Sequence, residues 1–288
     1  MTAEVLLQGL VSGLLMGFVY ALIAAGLSLI FGLMEIVNFA HGEFLMAAMF
    51  ATFWAWSLLH LDPLVSLPLT VGLLALIGVA VYHGLIRWIL AAPMLAQIFA
   101  TFGLAIFMRA AAQALFGVDF RLVKSPLADG RVSLGGIYIG LPQLVASLGA
   151  LAAFGFLYWF IRKTETGLAL QATSQDRQAA SLMGIDTQRM FALGWGLGAA
   201  CVGAAGALLA MFFYIFPDVG ATFALLAYVT VALGGFGNVP ATLLAGVIVG
   251  VVEVLGGLLI APALKYAIVF ALYLVVVLWR PQGLLGRF

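Results

Sequence analysis

Residues 5–34 read VLLQGLVSGLLMGFVYALIAAGLSLIFGLM, a run of 30 residues without a formal charge. A helix crosses the hydrocarbon core of a bilayer with about 20 apolar residues, and inside lipid only helices and closed barrels satisfy the backbone. The run is continuously apolar rather than alternating, which favours a helix over a barrel strand. A second uncharged run of the same length extends from Val132 to Ile161. The sequence therefore predicts an all-α, polytopic integral membrane protein.

The overall composition agrees with this class and excludes others. The chain is 65% hydrophobic and 8% charged, whereas soluble domains are about 25% charged. Its net charge is +1 and its basic residues form no sustained patch, so we expect no nucleic-acid partner. The single cysteine, Cys201, lies in an apolar run and cannot form a disulfide within the chain. The three histidines lack ligand-like spacing, and we predict no metal site.

Nine apolar runs are candidate membrane spans, and we expect eight or nine transmembrane helices in one domain, residues 1–288. One or two segments are expected to be broken or re-entrant. The candidate spans cover residues 5–33, 42–59, 64–86, 97–116, 138–161, 190–215, 221–236, 240–260 and 264–280.

Basic residues predict the orientation, because cytoplasmic loops carry an excess of Lys and Arg. The loop 162–189 and the carboxyl-terminal tail are separated by four spans, so both are expected on the cytoplasmic side. Their basic residues are Arg162, Lys163, Arg177, Arg189, Arg280 and Arg287. The loop 117–136 is then external, although it carries three basic residues. A short external hairpin is predicted there, with its turn at residues 128–130.

Two segments interrupt the membrane-like sequence, FGLMEIVNFAHGEF (31–44) and GGFGNVP (234–240). Irregular backbone inside a membrane is tolerated where protein or water covers it. Both segments lie in a glycine-rich frame, which raises the hypothesis of a degenerate internal repeat. Two roles stay open for Asn38, His41 and Glu43. They hydrogen-bond the backbone of a broken helix, or they line the path of a solute.

Two further ionisable residues lie in candidate spans, Arg109 and Glu253. Charged groups inside a membrane bundle usually face its interior or an aqueous path. We therefore add both to the candidates for the solute path. A mutual ion pair would satisfy both charges, but no feature of the sequence establishes one.

Glycines repeat at four-residue spacing in several spans, most regularly at Gly9, Gly13 and Gly17 in the first. Small residues at this spacing let helix backbones approach closely in lipid. Packing within the bundle is the more common use of such a face. The alternative is an interface with a second subunit, for which the first helix is the best candidate.

The loop 162–189 contains a short polar helix in a chain otherwise built for lipid. Ser174 is a suitable N-cap, Asp176 places a carboxylate in the first turn, and Gly184 is a suitable residue after the C-cap. The sequence thus predicts a helix over 174–184, with an apolar face formed by Ala179, Ala180, Leu182 and Met183. A helix this short is marginal alone in water, so it is expected to dock.

The stretch GLALQATSQDRQAASLMGID (167–186) resembles the cytoplasmic coupling loop of ABC-importer permeases. ALIAAGLSLIFGLMEIVNFAHGEFLM (21–46), LAQIFATFGLAIF (95–107), VALGGFGNVPATLLAGVIVGVVE (231–253) and RPQGLLG (280–286) resemble the branched-chain amino acid (LIV-type) ABC transporter permease subunits. The resemblance covers nearly the whole chain in order. It departs at the first Glu of the loop's Glu-Ala-Ala signature, which is Gln178 here.

The resemblance implies a bacterial inner-membrane importer with a second permease subunit, often a different chain in this family, two ATP-binding subunits and a periplasmic or extracellular solute-binding protein. It implies that Ser174, Asp176, Arg177, Ala179, Ala180, Met183 and Gly184 contact the ATPase. None of the three lysines follows a glycine, so the chain has no phosphate-binding P-loop. We therefore expect no enzyme activity and no cofactor in this chain, with ATP and Mg²⁺ used by partners. A stand-alone secondary transporter or channel is the alternative.

Overall fold

A computed structural model describes residues 3–134 and 136–286. Arg287, one of the basic residues used to orient the chain, lies outside the described residues. The fold is almost wholly helical, as the uncharged runs predicted. The helices are α1 (Ala3–Met34), α2 (His41–Leu59), α3 (Pro63–Val81), α4 (Arg87–Ile89), α5 (Met94–Phe116), α6 (Leu141–Lys163), α7 (Glu165–Gln175), α8 (Arg177–Leu182), α9 (Thr187–Leu209), α10 (Val219–Gly234), α11 (Val239–Leu259) and α12 (Lys265–Trp279).

Within the described residues, eight helices are long and apolar enough to cross a membrane. α3 continues through a π-helical turn at Tyr82–Ile86 into α4 as one span, Pro63–Ile89, and α12 reaches the length of a span together with the 3₁₀ turn Pro262–Leu264 before it. The seventh candidate span, 221–236, corresponds to α10, which has 16 residues. At 1.5 Å per residue α10 is about 24 Å long, less than the roughly 30 Å of a bilayer core. The eight candidate helices in the described residues agree with the prediction of eight or nine spans.

α1 and α9 form the centre of the bundle and are mostly buried, whereas few residues of α5 and α12 are buried. α1 packs on α11 through its glycine face. A Cβ on Gly13 would lie 2.8 Å from the carbonyl oxygen of Gly250, and a Cβ on Gly17 would lie 2.7 Å from Cα of Val247. Gly9 meets the side chain of Leu258 on the same face. The glycine face is therefore occupied within the chain, and the subunit-interface alternative for it was wrong.

The loop between α5 and α6 contains the predicted hairpin, but at a different position. β1 (Arg131–Leu134) pairs antiparallel with β2 (Ile137–Gly140), with Val132 opposite Ile139. The turn includes Gly136, whose φ of +88° is readily adopted by glycine. The predicted turn at 128–130 was wrong because Pro126–Ala128 form a 3₁₀ turn. The segment expected to pair across it instead forms a bridge between Arg121 and Ile215.

α2 begins inside the bundle rather than at its surface. The ring nitrogen Nε2 of His41 lies 2.8 Å from the carbonyl oxygen of Ile23, which places the start of α2 partway along α1. Residues 35–40 form the irregular link, in the segment where the sequence predicted a break. α2 then runs back towards the end of the bundle where α1 begins.

α10 also begins inside the bundle, opposite α2. Gly42 and Gly220 are in contact, since a Cβ on either one would overlap the carbonyl oxygen of the other. The link that precedes α10, residues 210–218, lies partly in the predicted span 190–215. The predicted second break at 234–240 was wrong, because residues 235–238 form a turn between two antiparallel helices. Gly237 in this turn lies against Gly32 at the far end of α1.

The two interrupted units resemble each other. α1 and α9 are each followed by an irregular link and by a helix that begins inside the bundle, and α1 and α9 run antiparallel. Their contacts pair Gly194 with Leu33 and Gly198 with Gly26. Any internal repeat thus relates residues 35–40 to 210–218, rather than to 234–240 as the sequence hypothesis had it.

Candidate functional site

Two regions combine exposure with unusual chemistry. The first is the loop 162–189, which we call the coupling loop. The second is the helix junction, where α2 and α10 begin, together with Arg109 on α5.

Polar caps build the coupling loop as two short helices. The Oγ1 of Thr164 accepts a hydrogen bond from Gly167 N at 3.0 Å and starts α7. The Oδ1 of Asp176 accepts from Gln178 N and Ala179 N at 2.8 and 2.9 Å and starts α8. A carboxylate at this position satisfies two of the backbone N–H groups that a helix start leaves free.

The prediction that Ser174 caps a helix over 174–184 was wrong. Ser174 lies in the last turn of α7, and its hydroxyl donates to the carbonyl oxygen of Gln171 at 2.8 Å. The polar helix, α8, begins two residues later with Asp176 as its N-cap, because α7 continues past Ser174 to Gln175. The sequence reading missed α7, and the signal for it was the Thr164-Glu165 pair at its start.

The predicted end of the polar helix is confirmed. Gly184 has φ of +85°, the left-handed conformation that glycine adopts most readily. The N–H of Ile185 donates to the carbonyl oxygen of Ala180, and that of Gly184 to Ser181, both at 3.0 Å. These two bonds form a Schellman motif, which satisfies the last carbonyls of α8.

The coupling loop is packed firmly against the bundle. α7 buries Gly167, Leu170 and Thr173, and a Cβ on Gly167 would lie 2.6 Å from the carbonyl oxygen of Ile161. Ala180 of α8 is buried, and the guanidinium of Arg177 lies 4.8 Å from the ring centre of Phe191 on α9.

The tip of the coupling loop is apolar and faces outward. Leu182 is 88% exposed and Met183 is 82% exposed, and Ala179 is exposed beside them. The expected apolar face is therefore divided, since Ala180 points into the bundle while its neighbours point away from it. Contiguous exposed apolar surface is a common feature of sites where proteins contact each other.

An ion pair lies at the helix junction. Glu43, in the first turn of α2, is buried, and its Oε1 pairs with the guanidinium of Arg109. The Nε of Arg109 lies 3.7 Å from Oδ1 of Asp218, the N-cap residue of α10. The other oxygen of Glu43, Oε2, is buried without a hydrogen-bond partner. The guanidinium of Arg109 therefore lies close to two carboxylates, those of Glu43 and Asp218.

Asn38 and His41 contact the backbone of the break. The Oδ1 of Asn38 accepts from Ala40 N at 3.1 Å, and its carbonyl oxygen accepts from the hydroxyl of Tyr228 at 2.6 Å. His41 reaches Ile23 as described, so its Nε2 carries the hydrogen and donates it. The contacts of Asn38 satisfy backbone groups of the interrupted segment, whereas His41 bonds a carbonyl within α1.

Glu253 is remote from the helix junction, and the hypothetical pair with Arg109 is not formed. Its Oε1 lies 2.9 Å from Nζ of Lys265, and its Oε2 accepts a hydrogen bond from the hydroxyl of Tyr20. The sequence reading missed Asp218, Tyr20 and Lys265. For Asp218 the signal was Pro217-Asp218, a pair typical of a turn or a helix start.

Comparison with known proteins agrees with this architecture. The family described as branched-chain amino acid transport system / permease component matches residues 9–277. The high-affinity branched-chain amino acid transport system permease protein BraD of Pseudomonas aeruginosa is 31% identical over 297 residues, covering 98% of this chain and 96% of BraD. LivH of Salmonella typhimurium, described in the same words, is 31% identical over 98% of this chain and 96% of the length of LivH.

A more distant relative is the probable branched-chain amino acid transport permease protein LivH of Methanocaldococcus jannaschii, which is 27% identical over 92% of this chain and 88% of its own. No solved structure matches the chain significantly. The family match and the full-length relatives lead to one conclusion: the chain belongs to the permease components of branched-chain amino acid transport systems.

Proposed function

We propose that this chain is the membrane-spanning subunit of an ATP-driven importer in a bacterial cytoplasmic membrane. It carries branched-chain amino acids or a similar small solute inward. A second permease chain completes the pathway, two ATP-binding subunits supply the energy, and a solute-binding protein delivers the cargo. The names of the relatives and the absence of a P-loop from the sequence support this assignment.

The observation that carries the proposal is the exposed apolar tip of the coupling loop on a rigid base. A stand-alone secondary transporter or channel has no use for two large, exposed apolar side chains on a well-capped polar loop. A partner that covers Leu182 and Met183 would remove them from water, and burying each such side chain contributes roughly 1.5–3 kcal/mol. The surface therefore fits a subunit that docks from the cytoplasm.

α9 is the element that would carry movement from the docked partner to the helix junction. It starts two residues after Ile185, at the end of the coupling loop, and runs through the centre of the bundle. Along its length Gly198 packs against Ile30 of α1, and Gly206 packs against Ala48 of α2. It ends at the link that leads into α10. A displacement of α8 would thus shift both helices that begin at the junction.

The test is the double variant Leu182→Asp with Met183→Asp, in a strain that makes the whole transporter. We expect uptake to fall at least tenfold and the ATP-binding subunit to be lost from pull-downs, while the amount of permease in the membrane stays the same. Ala180→Asp would be a poor test, because that residue is buried and its substitution would unfold the loop.

The matched control is the swap Leu182→Met with Met183→Leu, which keeps the apolar surface and should keep uptake. Normal uptake by the double aspartate variant, with no ATP-binding subunit recovered from wild-type membranes, would contradict the proposal and support a secondary transporter.

A further inference from the structure

The helix junction places negative groups at the starts of two helices that face each other. Glu43 lies in the first turn of α2, and Asp218 is the N-cap residue of α10. The start of a helix carries a positive partial charge that favours carboxylates. The contact between Gly42 and Gly220 holds these two starts together, so both acids approach Arg109 from different helices.

The charges at the junction do not balance. With both acids ionised, two negative charges share one guanidinium. The Oε2 of Glu43 is buried without a partner, and the carboxylate of Asp218 accepts no hydrogen bond from the backbone of α10. Uncompensated charge in a membrane bundle is costly. A second positive group at this place would stabilise the cluster.

We propose that the ammonium group of the transported solute takes this place, against the carboxylate of Asp218, while Arg109 binds the solute's carboxylate. The inference rests on the proposed function and assigns residues of this chain to the two charged ends of an amino acid. The side chain of Asp218 is 57% exposed and that of Arg109 is 34% exposed, so both can be reached from outside the chain.

An apolar surface lies beside the charges. Phe102 and Ile106 share a face of α5 with Arg109, at helical spacings of seven and three residues, and both are more than half exposed. Phe39 meets the edge of Phe102, with ring centres 6.5 Å apart. An aliphatic side chain fits against this surface. Because two of the three charged groups are partly exposed, a bound solute would remain accessible for release.

The experiment uses the complete transporter in proteoliposomes. The solute-binding protein is added on the side from which the solute is taken up, and ATP is supplied on the side of the ATP-binding subunits. Uptake of labelled leucine and hydrolysis of ATP are measured together for Asp218→Asn, which removes the charge and keeps the shape. We expect at least a tenfold loss of leucine carried per ATP hydrolysed, with hydrolysis itself within twofold of wild type. Asp218→Glu should transport within threefold of wild type.

Asp119→Asn is the matched control, since Asp119 is an exposed carboxylate on the external loop. It should transport like wild type. If Asp218→Asn also transports like wild type, or if it loses assembly and hydrolysis together with transport, the inference is wrong. Failure of the wild-type complex to use ATP for uptake would instead contradict the proposed function.

The second positive group could also be an inorganic cation. Replacing Na⁺ and K⁺ by choline on both sides of the liposomes separates the two sources. We expect unchanged uptake, because the ammonium arrives with the solute. A fall in uptake that Na⁺ or K⁺ restores would overturn the assignment.

Discussion

Buried ionisable residues in this bundle pair with partners on other helices. Few residues of α12 are buried, yet Lys265 at its start reaches the buried carboxylate of Glu253 on α11, which also binds Tyr20 of α1. One carboxylate therefore connects three helices. Removing one partner of such a pair leaves the other charge uncompensated.

Glu253→Gln should lower the free energy of unfolding by about 1–2 kcal/mol, less than for a fully buried pair because Lys265 can extend its ammonium to water. The measurement is the midpoint of thermal unfolding in detergent. Glu165→Gln is the control, because Glu165 is an exposed carboxylate at the start of α7. Equal midpoints for the two variants would show that Glu253 stabilises nothing.

Sequence alone identified which charged residues are costly in the membrane, but not their partners. Glu43 and Arg109 are 66 positions apart, and their contact depends on how α5 packs beside α2. By charge alone, Arg109 could equally have paired with Glu253. Only the packing of the helices decides between these pairings, and no local pattern records it.

At the scale of elements, glycine spacing correctly predicted which helix faces make close contacts. Only the structure shows which helix packs on each of these faces. Gly13 and Gly17 of α1 meet Gly246 and Gly250 of α11, so backbone packs on backbone. Such a contact cannot accommodate even one added methyl group by moving a side chain.

Gly250→Ala should therefore reduce the amount of folded protein. Its Cβ would lie 2.6 Å from the backbone nitrogen of Gly17 and would overlap the carbonyl oxygen of Gly13. Overpacking of this kind costs about 1–3 kcal/mol. Less folded protein should reach the membrane, as measured by fluorescence-detected gel filtration. Gly155→Ala is the control, since no atom lies within 4 Å of its added Cβ. Normal yield of Gly250→Ala would contradict the close contact.

At the scale of the whole molecule, hydropathy predicted the long spans and missed the second interrupted helix. The residues around the link, AMFFYIFPD (210–218), are as apolar as a span. Their irregular backbone is covered by the bridge to Arg121, which lies in a distant loop. Hydropathy measures what the lipid tolerates, and it cannot distinguish a helix from irregular backbone that other parts of the protein cover.

The sidedness of the molecule follows from its helix order and can be measured directly. The loop that contains Leu127 binds the start of α3, because Ser125 donates to Asp62 at 2.8 Å. Between Leu127 and Leu182, α6 is the helix long enough to cross, since α7 has 11 residues. The two leucines, both exposed, should therefore lie on opposite sides of the membrane.

Single cysteines test this arrangement in a Cys201→Ala background. A membrane-impermeant maleimide should label Leu127→Cys in intact cells and Leu182→Cys only after permeabilisation, because the basic residues predict a cytoplasmic position for the coupling loop. Ala227→Cys, at a buried position, should stay unlabelled in both conditions. If both leucine positions were labelled in intact cells, the chain would cross the membrane an even number of times between them. The coupling loop could then not meet a cytoplasmic ATPase.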